Sequence, residues 1–149
     1  MEWGCDYTYC HLPRHNEEIR KMNIQQALQE ANTWEARYRL IIQAGKALPR
    51  PSEETLIKMQ SISGCEANLW FQICPKTDRT YHFNAYSEAR IMNGLLAILL
   101  QAIENKSAEE LCQFSVTAYF DRLGIAQRLS TTRLNGLKQI EQLLHQLSH

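Results

Sequence analysis

The residues of this chain best suited to covalent chemistry are its five cysteines, Cys5, Cys10, Cys65, Cys74 and Cys112. Their number is odd and their spacing irregular, so they outline no disulfide framework, and at least one is expected to be a free thiol. Cys65 has the most suggestive surroundings. Ser61-Ile62-Ser63-Gly64-Cys65-Glu66 is a polar segment between a helical pattern and a strand pattern, a place where side chains are presented to partners. Gly64 lacks a Cβ, which lets another chain approach the sulfur and permits a backbone turn that points Cys65 outward. A thiolate placed there would act as a nucleophile. By composition alone Cys65 also fits a small buried apolar residue, and both readings stand at this point.

The other candidates carry weaker signals. Cys74 ends a strand pattern on the side shared by Trp70 and Gln72, and Cys112 falls in a short apolar helix. Packing accounts for both, since neither has a basic cluster to lower its pKa. Cys5, Cys10, His11 and His15 are zinc-ligand types, but their spacing matches no common module and they read better as a tail, so no metal site is expected. His82 reads as a sheet-surface residue, and His145 and His149 show no visible chemistry. Arg133 opens the last helical pattern, where a cation opposes the helix dipole. Pairing with a carboxylate would explain it, and so would support of a thiolate or contact with a partner. A phosphate-cradling glycine loop, a dinucleotide fingerprint, His-Glu-x-x-His and Gly-x-Ser-x-Gly are all absent, which removes the common cofactor and hydrolase readings.

The elements that must position these residues follow from periodicity. Helical spacing begins after Asn16 with Ile19, Met22, Leu28 and Ala31, and a second helix capped by Thr33 carries Trp34, Tyr38, Ile41 and Ile42 until Gly45 and Pro49 close it. Ser52-Glu53-Glu54 opens a short helix to about Met59. The period then becomes that of strands. Leu69-Trp70-Phe71-Gln72-Ile73 runs to Pro75, and after a turn at Lys76 to Arg79 the run Thr80 to Asn84 alternates, which predicts a β-hairpin. Ser87 reads as the cap of an apolar helix from Glu88 to about Asn105, Ser107 and Glu110 as a capping box, and Val116 to Leu123 as a short helix ended by Gly124. A final helix from about Thr131 places Leu134, Leu137, Ile140, Leu144 and Leu147 on one stripe. The expected fold is a compact α+β domain over residues 16–149, with a small antiparallel sheet, the central hairpin, packed against several helices. Residues 1–15 read as an amino-terminal extension.

Composition limits the partners. Sixteen basic and sixteen acidic residues cancel in 149, so there is no basic field for nucleic acid or an anionic membrane. The longest apolar run, Ile91 to Ile103, is interrupted by Asn93, Gly94 and Gln101 and falls short of the ~20 residues of a bilayer span. No secretory signal pattern opens the chain, so a cytoplasmic location with reduced thiols is expected.

Taken in order, several segments resemble the SufE/CsdE family of sulfur acceptors for cysteine desulfurases, with the CsdE branch the nearer match. They are Trp34-Glu35 with Tyr38 and Leu48-Pro49, then Ile62-Ser63-Gly64-Cys65-Glu66 with Leu69-Trp70. Ser87-Glu88-Ala89-Arg90-Ile91 with Gly94-Leu95-Leu96-Ala97 follows, and then Phe120, Leu123-Gly124, Leu129-Ser130 and Arg133 with Gly136-Leu137. The chain departs from the family pattern at Ala85-Tyr86, where Gly-Asp is usual before the serine. The resemblance implies that Cys65 accepts persulfide sulfur from a pyridoxal-phosphate cysteine desulfurase of the SufS or CsdA type. It also implies that Ser63, Gly64, Glu66 and Arg133 support the thiolate or the partner, and that the sulfur passes to a downstream acceptor or iron–sulfur scaffold. The pyridoxal phosphate belongs to the desulfurase, and no cofactor is expected here. Two competing readings remain: a metal or iron–sulfur scaffold using Cys65 with Cys112 or Cys74, against which the lack of Cys-x-x-Cys spacing weighs, and a cysteine-independent adaptor.

Overall fold

The computed structural model describes residues 23–63 and 67–147. The expected extension over residues 1–15 and the Asn16 cap lie outside them. The first described helix, α1 (Ile24–Glu30), has its own cap in Asn23, whose side chain accepts from the Gln26 amide at 3.1 Å. Thr33 caps α2 (Trp34–Lys46) and Ser52 caps α3 (Glu53–Lys58), both as expected. One correction concerns Gly45. It does not close α2 but lies buried inside it, against Gly94 of α4 (Arg90–Ile103). A Cβ at Gly45 would meet the Gly94 amide nitrogen at 2.6 Å, and one at Gly94 would meet the Ile41 carbonyl oxygen at 2.0 Å. The two helices therefore cross at backbone contact.

The described residues contain a four-stranded antiparallel sheet, more than the hairpin expected. Its strands are β1 (Gln60–Ile62), β2 (Leu69–Pro75), β3 (Thr80–Ser87) and β4 (Lys106–Ser107), in that order across the sheet. The register sets Ile62 opposite Leu69 and Leu69 opposite Ser87. Phe71, Ile73, Phe83 and Ala85 point to one face and join the core with Leu95, Leu96, Ile98 and Leu99 of α4. That helix is apolar nearly all round because α2 covers one side of it and the sheet another.

The free edge of β3 is hemmed by side chains and loop backbone. The Glu104 carboxylate accepts from the Phe83 amide at 3.3 Å, the Asn105 amide donates to the Tyr81 carbonyl at 2.9 Å, and the Asn93 side chain brackets Ser87. Asn105 adopts φ 62° to make the turn into β4. The capping box of Ser107 and Glu110 opens α5 (Ala108–Cys112), as expected. α6 (Val116–Arg122) and a 3-10 turn (Ala126–Arg128) lead to α7 (Thr131–His145), which buries Leu137, Ile140 and Leu144 against α5, α6 and β1.

Candidate functional site

The candidate site is the connection between β1 and β2. Gly64, Cys65 and Glu66 lie outside the described residues, but both roots of that connection are described. Because Ile62 pairs with Leu69, the chain must leave and rejoin the sheet within the six residues between them. The first root is Ser63, exposed, whose carbonyl accepts a hydrogen bond from the side-chain amide of Gln139 on α7. The second root is Asn68. Its backbone carbonyl accepts from the Ser87 hydroxyl at 2.8 Å and the Glu88 backbone amide at 3.2 Å, while its side-chain amide donates to the Glu88 carboxylate at 2.9 Å.

Ser87 thus has a different role from the cap expected of it. It is the last residue of β3, fully buried, and its hydroxyl also accepts from the Ala89 amide at 3.2 Å. The helix begins only at Arg90 and has no side-chain cap. Asn93 completes the junction by accepting from the Ser87 amide at 2.7 Å and donating to the Ser87 carbonyl at 2.6 Å. The chain around the connection is therefore fixed from two directions, by α7 at one root and by the β3–α4 junction at the other.

Arg133 is half-buried in the first turn of α7, with its backbone amide bonded to the Ser130 hydroxyl at 3.2 Å. It lies six residues before Gln139, about 9 Å along the helix axis. Trp70, next after Leu69, stacks on Tyr86 with ring centroids 6.2 Å apart, so the residue at the Ala85-Tyr86 departure stands beside the second root. Arg50 in turn lies 5.3 Å over the Tyr86 ring and donates to its hydroxyl at 3.0 Å.

The remaining cysteines are placed elsewhere. Cys74 is 2% exposed and lies about 17 Å along β2 from Leu69, with the Asn84 amide 3.9 Å from its sulfur. Cys112 is a free thiol at the end of α5, aimed at the carbonyls of His145 and Leu147 at 3.5 and 3.6 Å. Among the described residues no three metal-ligating side chains converge. Cys5, Cys10, His11, His15 and His149 fall outside them. His82 is tied between the Glu104 carboxylate and Asn84, and His145 bonds the Phe114 carbonyl at 2.8 Å. The shifted pKa values are remote from the site: hydrogen bonds from Thr80 lower that of Asp78, those from Ser107 lower that of Glu110, and burial pushes Tyr119 up to about 12. No helix among the described residues is long and apolar enough to cross a membrane.

Gln139, Asn68 and Glu88 are site residues that sequence reasoning missed. Asn93 did leave a signal, as a side-chain amide inside an otherwise apolar helix.

Comparison with known proteins finds relatives over most of the chain. The family model described as "SufE: Fe-S metabolism associated domain" matches residues 22–148. A SufE-like protein of Haemophilus influenzae is 62% identical over 120 residues, covering 80% of this chain and 95% of its own. The sulfur acceptor protein CsdE of Escherichia coli is 40% identical over 111 residues, 74% of this chain and 76% of its own. The cysteine desulfuration protein SufE of Wigglesworthia glossinidia brevipalpis is 27% identical over 129 residues, 87% and 90% of the two chains.

Proposed function

Because this chain belongs to the SufE family, we propose that it is a sulfur acceptor which takes persulfide sulfur from a cysteine desulfurase onto Cys65, stimulates that enzyme and passes the sulfur on. The observation that carries the reading is the pair of fixed roots around the short segment holding Cys65. A carrier thiol must meet a sulfur held by another protein, and a short connection anchored on both sides limits how far that thiol can stray.

The chemistry is thiol exchange at sulfur. The Cys65 thiolate attacks the outer sulfur of the desulfurase persulfide. A new sulfur–sulfur bond forms at Cys65, the one within the desulfurase persulfide breaks, and the desulfurase cysteine leaves as a thiolate. The proton on the transferred sulfur stays with it, and there is no net oxidation or reduction. Attack needs Cys65 as thiolate, and a nearby cation favours that form. Arg133, on the helix that holds the first root, supplies the cation, while Ser63, Gly64 and Glu66 shape the approach. The step asks no cofactor of this chain, since the pyridoxal phosphate acts in the desulfurase. Delivery to iron–sulfur cluster assembly is the onward route we propose, in the cytoplasm.

The test is intact-mass spectrometry after mixing the chain with an active CsdA-type desulfurase and cysteine, without reductant. The wild type should gain a sulfur-mass adduct that reductant removes, and Cys65→Ser should gain none. An adduct persisting on Cys65→Ser, or absent from the wild type, would refute the assignment.

A further inference from the structure

At the same end of the sheet lies a hollow of about 250 Å³ where α2, α4 and β3 meet, lined by Lys46, Arg50, Arg90, Tyr86, Asn93 and Ile42 among others. Its three cations are exposed, and no carboxylate lines it. Among the described residues none of the three lies within ion-pair distance of an acidic side chain. Arg50 is held by a neutral group, the Tyr86 ring and hydroxyl, which fixes its position and leaves its charge intact. Arg90 also stands in the first turn of α4, where the positive end of the helix dipole adds to the field. In a chain whose charges sum to zero, this is a local excess of positive potential.

Size and exposure decide what the hollow can take. It is smaller than the roughly 300–1,000 Å³ of small-molecule pockets, and solvent-exposed cations hold a free anion weakly. The same charges are effective when the anion arrives on a large complementary surface. Position points the same way. Tyr86 pairs with Trp70 and Trp70 with Ser61, which sets Tyr86 two strand spacings, about 10 Å, from the strand leading to the first root. We infer that the hollow receives one acidic side chain, Asp or Glu, on the desulfurase surface that presents the persulfide. This rests on the carrier reading and names the chemistry by which the partner is recognised.

The test titrates a purified CsdA-type desulfurase with the wild-type chain and with the double variant Lys46→Glu, Arg90→Glu, reading binding and stimulated turnover at low and high salt. Alkylation of Cys65 by neutral iodoacetamide reports whether the site itself has changed. The half-saturating concentration should rise about tenfold at low salt and about twofold or less at ~0.5 M salt, with alkylation unaltered. The milder Lys46→Gln, Arg90→Gln pair should fall between. Unchanged half-saturation at low salt, or a loss that salt does not diminish, would overturn the docking role and leave the carrier reading intact. Saturable binding of inorganic phosphate to the chain alone, lost in the double variant, would overturn it in favour of a free anion. Failure of the wild type to bind desulfurase at all would refute the carrier reading and the hollow's role with it.

Discussion

Replacing Gly94 by alanine puts the α2–α4 crossing to a quantitative test. The new methyl carbon would lie 2.0 Å from the Ile41 carbonyl oxygen and 2.5 Å from the Ile41 side chain. Neither neighbour is a loose end. One is helix backbone, and the other belongs to a core residue with no exposed surface. Ordinary contact begins near 3.4 Å, so the helices must part by roughly 1 to 1.5 Å along a buried seam. Overpacking of buried sites costs about 1–3 kcal/mol and occasionally more, and a rigid seam belongs at the upper end, so about 3 kcal/mol is expected. For a domain of this size that lowers Tm by about 6 to 12 °C. Gly45→Ala strains the same seam from the other side, with its nearest clash at 2.6 Å. Once one methyl has opened the seam the second costs less, so the double variant should lose about 1 kcal/mol or more less than the sum of the single losses. Urea melts of the four proteins measure all of this. A Gly94→Ala protein within ~0.5 kcal/mol of wild type, or fully additive losses, would show that the helices do not meet at backbone contact.

Other outcomes follow from single groups. Gln139→Ala removes the side chain that holds Ser63; it should cost at most about 1 kcal/mol in stability yet speed amide exchange around Ser63, and unchanged exchange would remove α7 from the site. Ser87→Ala strips a buried hydroxyl from both Asn68 and Ala89, so a loss of about 1–3 kcal/mol by urea melt is expected, with no loss counting against the junction. The Glu110 carboxyl is held below the usual carboxylate range by Ser107. Its contribution is therefore present above the ordinary carboxylate pKa and lost as pH falls through the lower folded value. The stability gap between wild type and Glu110→Gln should be open at pH 7 and closed in strong acid, and a gap independent of pH would contradict the cap. Tyr119 moves the other way. Burial raises it to about 12, so its contribution is intact below pH ~10 and declines by about 2–3 kcal/mol as pH rises from 10 to 12. Tyr119→Phe should flatten that alkaline slope, and an unchanged slope would assign it to other groups.

Local signals were the legible part of this fold. Thr33, Ser52 and Ser107 open helices because a hydroxyl one position before a periodic run satisfies amides of the first turn, a matter of adjacent residues only. Ser87 has the same look before Glu88, and its hydroxyl does accept from the nearby Ala89 amide, yet it donates to Asn68, 19 residues earlier, and nothing near Ser87 in sequence announces that second partner. Gly45 resembles a helix stop for the same reason, because its true constraint is Gly94 on another helix. Gln60-Ser61-Ile62 and Lys106-Ser107 are too short for a strand period to show, and they pair only because β2 and β3 are already in place. At the candidate site, Arg133 attracts notice by opposing its helix dipole. Gln139, six residues on, is an ordinary residue until the fold brings it to Ser63.

The hemmed margin of β3 bears on how the protein behaves in a crowded solution. Unpaired strand margins invite other chains to add on, and a molecule whose charges cancel has little mutual repulsion to keep copies apart. Here one outer strand is three residues long, the other is two, and the open length of β3 beyond them is engaged at Phe83 by Glu104 and at Ser87 by Asn93. Colloidal stability near neutral pH thus falls to hydrogen bonds already spent within the molecule. Removing the Glu104 carboxylate would leave the Phe83 amide available to a neighbour's carbonyl, a route to self-association separate from the chemistry proposed for Cys65.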